Sequence, residues 1–137
     1  MNKNSNYERS NTMAKKNIDW GSIGFSYIPT DKRYVANFKD GKWDGGLTSD
    51  PNVVINECAG VLQYSQSCFE GLKAYTTEDG KMVCFRPDLN AARMKSSCER
   101  LKMPVFPEDK FVEAVKEVVK ANIDYVPPYG SGATLYI

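Results

Sequence analysis

Phe111, Ala114, Val115, Val118 and Val119 fall at i, i+3, i+4, i+7 and i+8, the spacing of one buried helical stripe. They predict a helix from about Glu108 to Ile123, and Glu108 and Asp109 at its start and Lys120 near its end suit the helix dipole. A second helix is predicted from about Asp88 to Leu101, with Leu89, Ala92 and Leu101 on its inward face and Pro104 as its stop. Upstream, the period changes from helical to extended. Tyr34-Val35-Ala36-Asn37-Phe38 alternates into Asp40-Gly41 and Trp43, a hairpin signal because both central turn residues need positive φ. Leu72–Thr76 and Met82–Phe85 flank Glu78-Asp79-Gly80 as a second hairpin, ended by Arg86-Pro87. Gly45-Gly46 and Ser49-Asp50-Pro51 mark a loop, and Val53-Val54-Ile55 and Ala133–Ile137 read as strands.

Two hairpins followed by two helices give an α+β fold, an antiparallel sheet with helices packed on it. Residues 1–16 are rich in Asn, Lys and Ser without periodicity and are expected to form a flexible tail. The aromatics Trp20, Phe25 and Tyr27 are expected to bring an extended segment onto the core. The chain has 137 residues, enough for one core and unfavourable for two. Residues 17–137 are therefore read as one domain.

Composition removes several kinds of chemistry. The net charge of +1, from 18 basic and 17 acidic residues, offers no field to steer nucleic acid or an anionic membrane. No apolar run approaches the ~20 residues of a membrane span, and the first residues lack a signal-peptide core. A cytoplasmic protein is expected. The chain has no histidine, so neither Ser-His-Asp nor Cys-His catalysis can be built from it. Cys58, Cys68, Cys84 and Cys98 lack metal-ligand spacing and read as free thiols; no metal site is expected.

Several short segments carry a more specific signal by their order: Glu57-Cys58-Ala59-Gly60, LQYSQSCFEGLKAY from Leu62 to Tyr75, FRPDLNAARM from Phe85 to Met94, SCERLKMP from Ser97 to Pro104, and YVPPYGSGATLYI from Tyr125 to Ile137. Together they resemble the branched-chain amino acid aminotransferases, fold-type IV pyridoxal-phosphate enzymes. The likeness extends back through GFSYIPTDKRYVANFKDGKW. It implies the small domain of the D-amino acid aminotransferase-like fold, with pyridoxal 5′-phosphate as cofactor. The family's phosphate-binding arginine falls on Arg93, a residue type whose planar fork suits a phosphate dianion. Its substrate-pocket aromatics fall on Tyr64, Phe69 and Tyr136, and each offers an apolar wall for a branched side chain. Taken singly, each would more often be an ordinary core or surface residue. Arg86 is read as structural at the strand end, Glu70 as a hydrogen-bonding partner of its turn, and Gly71 as a point of tight backbone approach.

The resemblance also implies what lies elsewhere. The Schiff-base lysine and most other phosphate contacts belong to a larger C-terminal domain, and the carboxylate-binding arginine would follow Ile137. The chain is expected to stop before them, to have no turnover and to bind cofactor very weakly at most. The full-length protein would exchange amino groups between leucine, isoleucine or valine and 2-oxoglutarate as a homodimer. There are two departures from the family pattern. Lys73 sits where many relatives have arginine or methionine, and a pocket aromatic of some relatives falls near Pro29, with Phe25 or Tyr27 as substitutes. The competing readings are a D-amino acid aminotransferase or aminodeoxychorismate lyase of the same superfamily, and a non-catalytic binding or scaffolding domain.

Overall fold

The computed structural model describes residues 5–7 and 16–137. Its main sheet has four antiparallel strands in the order β1-β7-β6-β8. These are β1 (Ser5–Tyr7), β6 (Lys73–Thr76), β7 (Met82–Cys84) and β8 (Leu135–Tyr136). Two smaller antiparallel pairs join β2 (Arg33–Val35) to β5 (Gly46–Thr48), and β3 (Phe38–Lys39) to β4 (Lys42–Trp43). The helices are α1 (Gly60–Tyr64), α2 (Pro87–Arg100) and α3 (Glu108–Ala121), with a 3₁₀ turn at Ile123–Tyr125. This is the expected α+β architecture.

Both predicted hairpins form. Asp40 and Gly41 take φ of 51° and 75°, the double left-handed turn that closes β3 on β4. Trp43 then anchors the hairpin: its indole N–H donates to the Val105 carbonyl at 2.9 Å, and its ring meets Phe106 edge-on. The β6–β7 hairpin pairs Ala74 with Cys84 and Thr76 with Met82, and Gly80 supplies the positive φ of its turn.

Strand alternation sends Ala74, Met82 and Cys84 to one face of this sheet. That face packs with Leu72, Val115, Val119 and Val126, so the core lies between β6–β7 and the predicted stripe of α3. Asn122 at the end of α3 is 3% exposed yet satisfied. Its amide donates to the Lys32 and Val118 carbonyls, and its side-chain oxygen accepts the Lys32 N–H at 3.0 Å. This joins the approach to β2 onto the end of the core helix.

Four expectations are corrected. Within the segment read as a tail, Ser5–Tyr7 pairs with β7 as strand β1; residues 1–4 and 8–15 lie outside the described residues. Val53-Val54-Ile55 has strand composition but forms no strand, and Val54 is 99% exposed. Phe25 and Tyr27 are exposed instead of docked. Gly46, read as loop, begins β5.

The inward face of α2 also differs from the predicted one. Asn90, Ala91 and Cys98 are buried, whereas Leu89, Ala92 and Leu101 are exposed. The cause is tertiary. Asn90, Met94 and Cys98 form an i, i+4, i+8 row that meets the Cys68–Gly71 segment through polar and sulfur contacts. A hydrophobicity pattern does not register such a row.

Candidate functional site

Glu70 and Gly71 lead into β6, and α2 begins three residues after β7 ends. The β6–β7 hairpin thus folds α2 back beside residues 68–71. Pro87 starts α2 at the position where a missing N–H costs nothing, and Arg86 before it takes a left-handed conformation. The Arg86 guanidinium donates to both carboxylate oxygens of Asp88, at 2.9 and 2.8 Å. Arg86 is structural, as its place at the strand end suggests.

Six residues on from Pro87, Arg93 meets Glu70. Its Nε and Nη2 donate to the two oxygens of the Glu70 carboxylate at 2.6 and 2.5 Å, a bidentate pair. The Glu70 side chain is 6% exposed and that of Arg93 is 63% exposed. Asn90 adds a third donor to Glu70 at 2.9 Å and reaches the Gly71 carbonyl at 3.2 Å. The Arg93 guanidinium, seconded by Asn90 and opposed by burial, holds the Glu70 carboxyl below its usual range.

Glu70 therefore serves the helix and not its own turn, which is a correction to the sequence reading. It sets the plane of the Arg93 guanidinium and engages one edge of it. The other edge, carrying Nη1, belongs to an exposed side chain at a fixed place. A planar, permanently charged and pre-oriented donor of this kind suits one face of a phosphate or carboxylate. Arg93 thus fits the anchor role for a cofactor phosphate.

Tyr136 joins the same cluster. In β8 it stands opposite Lys73, and a methyl group on Gly71 would lie 2.8 Å from the Tyr136 hydroxyl. The bare glycine lets that ring lie over the backbone, as a tight approach at Gly71 anticipates. Phe69, next to Glu70, is 85% exposed. Arg93, Phe69 and Tyr136 are therefore gathered around the Glu70-Gly71 backbone. Tyr64 is not gathered with them by any hydrogen bond or ring contact of the described residues. It closes α1, 85% exposed, before the left-handed Ser65.

A cavity of about 420 Å³ lies elsewhere. Its lining comes from β2, α3 and β8, includes Tyr34, Phe111 and Val118, and shares only Tyr136 with the proposed site. Arg93, Glu70 and Phe69 do not reach it. Asn90 is the member of the cluster that the sequence reading missed. Its signal was available, because an asparagine three residues before the key arginine shares its helix face. Among the described residues no group of three or more His, Cys, Asp or Glu side chains could hold a metal ion, and no helix is long and apolar enough to cross a membrane.

No family model matches the chain. Individual proteins do. The chain is 56% identical over 123 residues to a branched-chain-amino-acid aminotransferase of Haemophilus influenzae, covering 89% of this chain and 36% of that protein. A branched-chain-amino-acid aminotransferase of Helicobacter pylori is 50% identical, with the same two coverages. A methionine aminotransferase of Arabidopsis thaliana is 44% identical over 123 residues, covering 88% of this chain and 34% of that protein. The chain thus spans about a third of the length of the curated relatives it matches. Over nearly nine-tenths of its own length, the chain is thus similar to about one third of enzymes named branched-chain-amino-acid aminotransferase.

Proposed function

We propose that the protein containing this chain transfers the amino group of leucine, isoleucine or valine to 2-oxoglutarate, giving the branched 2-oxo acid and glutamate, with pyridoxal 5′-phosphate as cofactor. The observation that carries this reading is Arg93, fixed by a buried carboxylate at the position of the family's phosphate anchor, in a chain so close to enzymes of that name. The cofactor, when bound, supplies the electron sink that weakens the Cα–H bond of the amino acid.

The chain's own contribution is binding and orientation. Arg93 would hold the phosphate, and Glu70 fixes the orientation of its guanidinium. Phe69 and Tyr64 offer aromatic surface to the branched side chain. The Tyr136 hydroxyl, lying over Gly71, is placed to orient a polar group of the substrate. In this reading the lysine that moves the proton lies outside residues 1–137, and none of the chain's own lysines takes its place. Residues 17–137 form the small domain, preceded by the 1–16 segment and completed by a larger cofactor-binding domain. The complete protein is a homodimer in the cytoplasm, which the four free cysteines suit. It uses neither nucleic acid nor membrane, and the chain alone has no turnover.

Leucine and 2-oxoglutarate supplied to the complete protein should yield glutamate only with pyridoxal phosphate present. Methionine belongs in the same assay, because one relative carries that name. Cofactor binding with methionine turnover and no leucine turnover would move the substrate assignment. No cofactor binding at all would end the aminotransferase reading. In the same protein, Gly71→Ala should raise the KM for leucine with little change in Tm. The added methyl meets the hydroxyl end of the Tyr136 ring, at 2.8 Å from its oxygen, and that side chain is 64% exposed. An unchanged KM would take Tyr136 out of the substrate site.

A further inference from the structure

Beside the Glu70–Arg93 pair, a second link joins the same loop to the same helix. The Cys68 Sγ lies 3.8 Å from the Cys98 Sγ and 3.4 Å from the Met94 sulfur. Cys68 is half-buried and Cys98 is 6% exposed. Both are free thiols separated by 30 residues in sequence, one on the loop before β6 and the other on the last turn of α2. Sulfur atoms at this separation need to close only to about 2.0 Å to bond, a distance that side-chain rotation can supply.

We propose that Cys68 and Cys98 are a modification site, a thiol pair that a hydroperoxide converts into a reversible disulfide. The two residues have different roles. Burial, together with the contact from Cys68, pushes the Cys98 thiol up to about 11, so Cys98 is not the first nucleophile. Cys68, the more accessible of the two, attacks hydrogen peroxide as its thiolate. A sulfur–oxygen bond forms, the O–O bond breaks, and the displaced hydroxide takes up a proton as water, leaving a sulfenic acid. The Cys98 sulfur then attacks the Cys68 sulfur. The S–S bond forms, the S–O bond breaks, and hydroxide leaves with the Cys98 proton as a second water. Two thiols and one peroxide thus give one disulfide and two waters, with two electrons passing from sulfur to oxygen.

The bond would tie residues 68–71 to α2 at a second point, five residues along the helix from Arg93. Oxidation therefore restrains the loop that carries Phe69 and Glu70. The placement of the two sulfur atoms is independent of the proposed reaction. The other two cysteines do not compete for this bond within the chain. Cys84 is fully buried in the core, its thiol pushed up to about 11, and Cys58 is exposed.

The test uses the complete protein with Cys58→Ser, treated with one equivalent of hydrogen peroxide under native conditions. The expected result is a mass loss of two hydrogens, a fall of two in titratable thiols, and a Cys68–Cys98 cross-linked peptide that dithiothreitol releases. Amide exchange at Phe69–Gly71 should slow in the oxidised form. With Cys98→Ser, Cys68 should instead accumulate as a sulfenic acid trapped by dimedone. A single oxygen gained on Met94 with both thiols still titratable would overturn the proposal. So would Cys68 passing to sulfinic acid while Cys98 stays free.

Discussion

Arg93→Ala in the complete protein should weaken pyridoxal phosphate binding by about 10- to 100-fold, the usual loss when a charged hydrogen-bonding partner of a phosphate is removed. Equilibrium titration of the apoprotein checks it, and unchanged affinity would remove Arg93 from the phosphate site. The same substitution also strands a carboxylate. Glu70, 6% exposed, would keep Asn90 as its only donor among the described residues. Its pH behaviour should then reverse. In the parent, Arg93 holds the Glu70 carboxyl below its usual range. The pair's contribution is thus fully present above the ordinary carboxylate pKa and lost as pH falls through the lowered folded value. In the variant, burial without the cation favours the protonated acid and raises the folded pKa. The stabilising state then lies at low pH and is lost as pH rises through that raised value. Adding Glu70→Gln to Arg93→Ala should restore stability near neutral pH without restoring phosphate affinity. Restoration of both would mean that the guanidinium served only the carboxylate.

Met82→Ala should destabilise the fold by about 2–5 kcal/mol, the range for emptying a buried long apolar side chain. Met82 is 1% exposed, points from β7 into the core, and belongs to the cluster that joins the sheet to α3. Little relaxation is available to it, because its neighbours are a hairpin partner strand and a 14-residue helix. Leu89→Ala is the control. Leu89 belongs to the helical face that hydrophobicity alone selects, yet it is 52% exposed, so its loss should stay within about 0.5 kcal/mol. Urea unfolding of the complete protein, followed by tryptophan emission, measures both. Equal losses at the two positions would mean that α2 faces inward by its leucines.

Legibility followed the nature of the signal. The stripe on α3 and the Asp-Gly turn of β3–β4 are local statements of periodicity and backbone sterics, and both appear as read. The run Val53-Val54-Ile55 has equally strong strand character, but a strand needs a partner, and among the described residues none pairs with it. Phe25 failed similarly: aromatic character favours burial without providing a surface to bury against.

The site divides in the same way. Which residues are candidates, Arg93, Phe69, Tyr136 and Tyr64, followed from the resemblance of ordered segments to a known family, because taken singly none of them carries that role. That Glu70 grips Arg93, that Asn90 seconds it, that Tyr136 lies on Gly71 and that Cys68 meets Cys98 could not be read in that way. Those pairs are separated by 20 to 65 residues, and only the return of the chain through the β6–β7 hairpin and the docking of β8 on β6 bring them together. By itself the sequence determined the period of the elements and the turns that punctuate them. The tertiary structure decided which helix face turns inward and which charges pair, because both depend on a neighbour that periodicity does not name.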